Sequence, residues 1–137
     1  MKQSIATRLR LSAAAVLGLT ALTATPWAYA LDVQPYTPER LAALQRDGKA
    51  VGLHFHAEWC GTCKAQEKSL QTIKAEGSLP QVTLLVVDYD KEKDLRKNLK
   101  VRAQSTLVVF KGNQEVARVG GDTEVPKLKA ALSKSAT

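Results

Sequence analysis

Cysteine is scarce in this sequence: 137 residues carry two of them, enough for one disulfide and no more. That excludes a disulfide-dense miniprotein, whose small core needs several such staples. Acidic residues are missing from the first thirty positions, and no run of five or more Lys or Arg occurs anywhere. There is no internal repeat, linker or low-complexity tract. With 45% apolar and 24% charged residues the composition is that of a globular chain, not of a disordered tail or a collagen-like repeat. A chain of this length is expected to form a single domain.

What the first thirty residues do contain is a basic start (Lys2, Arg8, Arg10), an apolar run over 11–22, and the small-x-small triplet Ala28-Tyr29-Ala30. These are the three parts of a secretory signal peptide, with cleavage expected after Ala30. Twelve apolar residues make a helix of only ~18 Å against a hydrocarbon core of ~30 Å, and Pro26 breaks helix before the cut, so a stable membrane span is not expected in the mature form. No Cys follows the run, which argues against a lipid anchor. The expected organisation is therefore a signal peptide at 1–30 and one domain at 31–137, periplasmic or secreted. Of the twenty bases and thirteen acids, three bases and no acids leave with the signal, so the formal charge falls from +7 to +4. A mildly basic surface of that size gives no reason to expect a nucleic-acid partner.

Alternating patterns run along the rest of the chain. Residues 31–36 form a lead-in strand or loop; Thr37-Pro38 caps a short helix carrying Leu41 and Leu44, closed by Asp47-Gly48. A strand is expected over 50–57, a helix from Cys60 to about 76 stopped by Gly77, and a central strand over the continuous apolar run 82–87. Asp90 is expected to cap a helix through Lys100, followed by a strand at 106–110, a turn at Gly112-Asn113 and a returning strand at 115–119. Asp122 or Thr123 then opens a last helix with Val125, Leu128 and Leu132 inward. Such alternation, closed by a hairpin, predicts an α/β fold with a mixed sheet and helices on both faces.

Cys60 and Cys63 fall on the first turn of the second helix, three residues apart, so they share a face and can bridge. Position makes them unequal. At the helix start, unpaired N–H groups and the positive end of the dipole favour a thiolate, and such thiols have pKa values of ~3.5 to 7.5 in place of 8.5. Cys60 is the expected nucleophile, attacking a partner disulfide, and Cys63 the residue that resolves the mixed disulfide. Glu58 and Lys64 flank the pair with opposite charges.

The segment Ala57-Glu58-Trp59-Cys60-Gly61-Thr62-Cys63-Lys64, following an apolar strand, resembles the active-site segment of the thioredoxins, commonly Trp-Cys-Gly-Pro-Cys-Lys. The similarity extends over residues 37–134 and includes Val87-Asp88-Tyr89-Asp90, Val101-Arg102 and Gly120-Gly121. It implies a thioredoxin fold and thiol-disulfide exchange, with Trp59 as a hydrophobic lip and the backbone at Gln104 and Gly121 docking an extended substrate.

Three positions depart from the family pattern. Ser105 stands in place of the family's cis-proline facing the CxxC. A non-proline cis bond costs ~2.5 to 4 kcal/mol, so the Gln104–Ser105 bond is expected trans in a rearranged loop, which puts substrate docking in question. Its hydroxyl could instead donate a hydrogen bond to a thiolate. His54 replaces a buried Asp, with Val86 replacing the Asp's Lys partner; the imidazole either serves as proton acceptor or is a core histidine bonded to a backbone group. His56 is expected on the opposite face of the strand, as packing or surface. Thr62 replaces the Pro of the reducing members, where the intervening pair helps set potentials that span ~150 mV in this fold.

The leading expectation is an exported thiol-disulfide oxidoreductase. It is monomeric, without cofactor, exchanging with protein thiols or disulfides and recharged by an upstream redox protein. A copper or zinc module using the CxxC thiolates is the first alternative, limited by the expectation that His54 and His56 face apart. A non-catalytic adaptor with an inert bridge is the second.

Overall fold

A computed structural model describes residues 30–136. All but the last residue of the expected signal peptide lie outside the described residues. Ten elements follow one another: β1 (Leu31–Pro35), α1 (Pro38–Arg46), β2 (Ala50–His56), α2 (Gly61–Glu76), β3 (Val82–Asp88), α3 (Lys93–Asn98), β4 (Thr106–Lys111), β5 (Gln114–Gly120), α4 (Val125–Ser133) and a short 3₁₀ turn (Lys134–Ala136). One sheet has the order β1-β3-β2-β4-β5. β1, β3 and β2 run parallel through helical crossovers, and β4 and β5 close the sheet antiparallel. This is the expected mixed architecture, with the lead-in segment resolved as a strand.

Local chemistry sets the boundaries. Thr37 Oγ1 accepts from the Arg40 N–H at 3.2 Å and Pro38 opens α1, while Gly77 ends α2 in the left-handed conformation with φ 58°. The apolar run at 82–87 lies inside the sheet, between β1 and β2, and β2 holds the middle position. Two helices come later than expected. Asp88, not Asp90, organises the entry to α3, its Oδ1 accepting from the N–H groups of Asp90 and Lys91, both at 3.1 Å, so the helix is confined to 93–98. α4 begins at Val125, because the Asp122 and Thr123 carbonyls are turned toward α2, where they accept from Gln66 and Ser69.

The sheet is covered on both faces. Val51, Leu53 and Phe55 of β2 point to one side, where Leu41 and Leu44 of α1 and Leu95 of α3 close the core. Leu70 and Ile73 of α2 and Leu128 and Leu132 of α4 cover the other. Gly52 permits that second layer its close approach: a Cβ there would stand 2.9 Å from Leu84 Cδ1 and 3.1 Å from Leu132 Cδ2. At the carboxyl end of β2 the chain passes through Ala57, which is buried in the first layer with Cys60 and Cys63, into the start of α2. No helix among the described residues is long and apolar enough to cross a membrane.

Candidate active site

Cys60 is the N-cap of α2, in extended conformation (φ −91°, ψ 110°), so its sulfur turns back over the helix start and accepts the Cys63 N–H at 3.0 Å. That is the position a capping Ser or Asp oxygen would hold, and it favours a negative charge on sulfur. The two residues form a disulfide with Cα atoms 5.2 Å apart. Both are buried, Cys60 at 4% exposure and Cys63 completely. Trp59 stands beside them 63% exposed, its indole Nε1 donating to Asp90 Oδ2 at 2.8 Å. Glu58 and Lys64 are exposed on either side.

Ser105 lies against both sulfurs. Its Oγ is 3.2 Å from Cys60 Sγ and 3.0 Å from Cys63 Sγ. No peptide bond among the described residues is cis, and Ser105 instead takes the left-handed conformation, φ 58°. Proline, locked near −65°, could not occupy that conformation, which is why the loop differs from the family's. Three bonds hold it there: Ser105 N–H to the Phe55 carbonyl at 2.9 Å, and the Ser105 carbonyl accepting from Gly121 N–H at 2.9 Å and Gln66 Nε2 at 3.2 Å. Gly121 thus spends its N–H internally. Gln104 is half-buried, with no backbone hydrogen bond among the described residues.

His54 is 1% exposed and pairs in register with Val86 of β3, an apolar neighbour where the family has a Lys. Its pKa is lowered from 6.5 to about 4, chiefly by burial and secondarily by His56, against an opposing contribution from Gln66. A neutral imidazole so hard to protonate takes a proton from an ordinary thiol of pKa ~8.5 at an equilibrium cost of roughly four powers of ten. Among the described residues its Nε2 has no hydrogen-bond partner.

The expectation for His56 is overturned. It shares the face of His54, their ring centroids 5.6 Å apart in an edge-on arrangement. A strand repeats every two residues, so positions i and i+2 must point the same way. His56 lies 3.7 Å from Glu67 and 4.0 Å from Glu58, and with His54, Val33, Val86 and Leu70 it lines a cavity of about 300 Å³ between α2 and the sheet. Even with the two imidazoles on one face, no group of three or more His, Cys, Asp or Glu among the described residues is arranged to hold a metal ion.

Gln66 went unnoticed in the sequence. It is fully buried and bonds the carbonyls of both Ser105 and Asp122, the latter at 2.8 Å. The signal was available, because Cys63, Gln66, Leu70 and Ile73 fall on one helical stripe, all buried. Tyr89 was likewise missed as a site support: its hydroxyl donates to the Arg102 carbonyl at 3.1 Å, and its ring stacks under Arg96 at 3.6 Å, tethering the segment that leads to Ser105.

Comparison with known proteins agrees with the geometry. The thioredoxin family profile matches residues 37–134. The thioredoxin of Chlamydia trachomatis serovar D is 38% identical over 102 residues, spanning 74% of this chain and 97% of its own. Thioredoxin H4-1 of Oryza sativa subsp. japonica is 33% identical over 101 residues, spanning 71% of this chain and 74% of its own. Among solved structures, Trxlp of Edwardsiella tarda superposes with a TM-score of 0.70 at 30% identity, covering 74% of this chain and 99% of that one.

Proposed function

The chain belongs to the thioredoxin family and is a thiol-disulfide oxidoreductase with a CxxC pair; from that premise we propose that it is exported, loses its first thirty residues, and exchanges disulfides with proteins of an oxidising compartment through Cys60. The observation that carries the assignment of the attacking sulfur is the Cys63 N–H pointing at Cys60 Sγ from 3.0 Å.

In the reduced state the Cys60 thiolate attacks one sulfur of a partner disulfide, forming the Cys60–partner bond as the partner's own S–S bond breaks. The released partner sulfur leaves as a thiolate and takes a proton from solvent. Cys63, after losing its proton, attacks Cys60 Sγ; the internal bridge forms and the second partner sulfur departs. Two electrons pass from this chain to the partner, and the reverse sequence transfers them back according to the two potentials. An upstream redox protein restores the starting state by the same exchange in reverse. Trp59 supplies an apolar lip at the exchange point, and Gln104 the backbone still free to pair with an extended segment. The basic leader and Ala28-Tyr29-Ala30 support export.

The test is trapping. Cys63→Ser expressed in the source cell envelope should accumulate disulfide-linked adducts through Cys60, identified by mass spectrometry in the exported fraction, on chains that begin at Leu31. Absence of adducts, or recovery of the full-length chain from the cytoplasm, contradicts the proposal.

A further inference from the structure

We propose that Ser105 tunes the redox centre: its hydroxyl donates a hydrogen bond to the Cys60 thiolate of the reduced pair and thereby draws the CxxC equilibrium toward the reduced state. The inference rests on Cys60 being the exchanging thiol.

The hydroxyl is placed for this and for little else. Ser105 is 2% exposed, and its Oγ lies within 3.2 Å of Cys60 Sγ and 3.0 Å of Cys63 Sγ. The backbone cannot swing it away, because the Ser105 N–H and carbonyl are bonded to β2, to Gly121 and to Gln66. A buried side chain held in the left-handed region by three such bonds is an over-determined conformation of the kind retained at functional sites. The family's proline ring brings no donor to this spot; here one stands between the two sulfurs.

The direction of the effect follows from what the acceptor is in each state. A disulfide sulfur is neutral and accepts weakly, whereas a thiolate accepts strongly, and hydrogen bonds to ionised groups are about twice as strong as neutral ones. Cys60 thiolate then has two donors, the Cys63 N–H and the Ser105 O–H, where the bridged form draws little from either. With glutathione as reductant, two glutathione thiols give one glutathione disulfide, two electrons and two protons. The Cys60–Cys63 bond takes both electrons, Cys63 keeps one proton as a thiol, Cys60 remains a thiolate, and the second proton goes to solvent. Stabilising that thiolate makes this chain a stronger oxidant than the same chain without the hydroxyl.

The experiment compares the unaltered protein with Ser105→Ala and Ser105→Gly, neither of which has a hydroxyl. Glycine relaxes the left-handed backbone and alanine does not. Equilibration in glutathione buffers gives the potential, and thiolate ultraviolet absorbance against pH gives the Cys60 titration; circular dichroism confirms that each variant is folded. Both variants should shift the equilibrium about tenfold toward the disulfide, ~30 mV more negative, and move the Cys60 titration upward by about one pH unit. No shift in either variant overturns the proposal. A shift confined to one variant overturns it as well, since it would track backbone relaxation and not the hydroxyl. Glutathione reads the bridge without any protein partner, so failure to trap partners leaves this test intact. A bridge that glutathione cannot open in the unaltered protein contradicts the exchange reading and the tuning together.

Discussion

The side-chain amide of Gln66 donates to the carbonyl of Ser105 at 3.2 Å, tying the middle of the α2 core stripe to the loop beneath the sulfurs. The same nitrogen reaches the Asp122 carbonyl at 2.8 Å, so one buried side chain fixes two loops that meet at the redox centre. Gln66→Leu keeps the volume and deletes both bonds. A buried carbonyl left without its donor costs ~1–3 kcal/mol, so urea unfolding should show a loss of that size with an unchanged m-value. An undiminished midpoint would mean that the loops are held by the remaining backbone bonds alone.

Acid should destabilise the fold through His54. Its pKa is about 4 in the folded chain against 6.5 for the ordinary side chain, so between those values the unfolded chain binds the proton and the folded one resists it. The stabilisation is complete above pH 6.5, declines as pH falls, and levels off below about 4, a total of roughly 3 kcal/mol for a shift of this size. His54→Gln should flatten that part of the stability profile, read as unfolding midpoints from pH 7 to pH 4. An unchanged slope would assign the acid sensitivity elsewhere.

Gly52 is the contact point between β2 and the second core layer. Gly52→Ala places a methyl 2.9 Å from Leu84 Cδ1 and 3.1 Å from Leu132 Cδ2, and overpacking of this kind costs ~1–3 kcal/mol. Thermal unfolding should report that loss while the redox potential stays put, because the sulfurs lie beyond the other end of the strand. A shifted potential would show that α4 packing reaches the disulfide.

Trp59 and Asp90 form an exposed pair. Trp59→Phe keeps the apolar lip and loses the indole donor; Asp90→Ala loses the acceptor. Each should cost less than about 1 kcal/mol, with the double variant no worse than the more affected single one. Full additivity in chemical denaturation would mean that the bond contributes nothing.

Much of this was legible in the sequence, and the failures have physical causes. The apolar run at 82–87, the Thr37-Pro38 cap and the Gly77 stop act locally and over a few residues, so β3, α1 and α2 fall where the pattern puts them. The start of α3 does not, because Asp88 and Asp90 are equally good caps on paper and only Trp59, 31 residues away, recruits the second one. The face of His56 was legible through the two-residue strand period and was misassigned. Gln66 was masked by being polar on a helix whose apolar stripe is narrow. The left-handed turn at Ser105 depends on acceptors and donors from β2, α2 and Gly121, and no local pattern encodes a conformation fixed by three distant segments.

Asymmetry between the two sulfurs is the central claim, and the alkylation rate of each thiol tests it most directly. The freshly reduced protein is treated with a limiting amount of iodoacetamide at neutral pH, and the label on each cysteine is counted by peptide mass spectrometry over time. Cys60, at the helix start with the Cys63 N–H on its sulfur, should be modified at least about tenfold faster than buried Cys63. Equal rates, or Cys63 reacting first, would contradict the account.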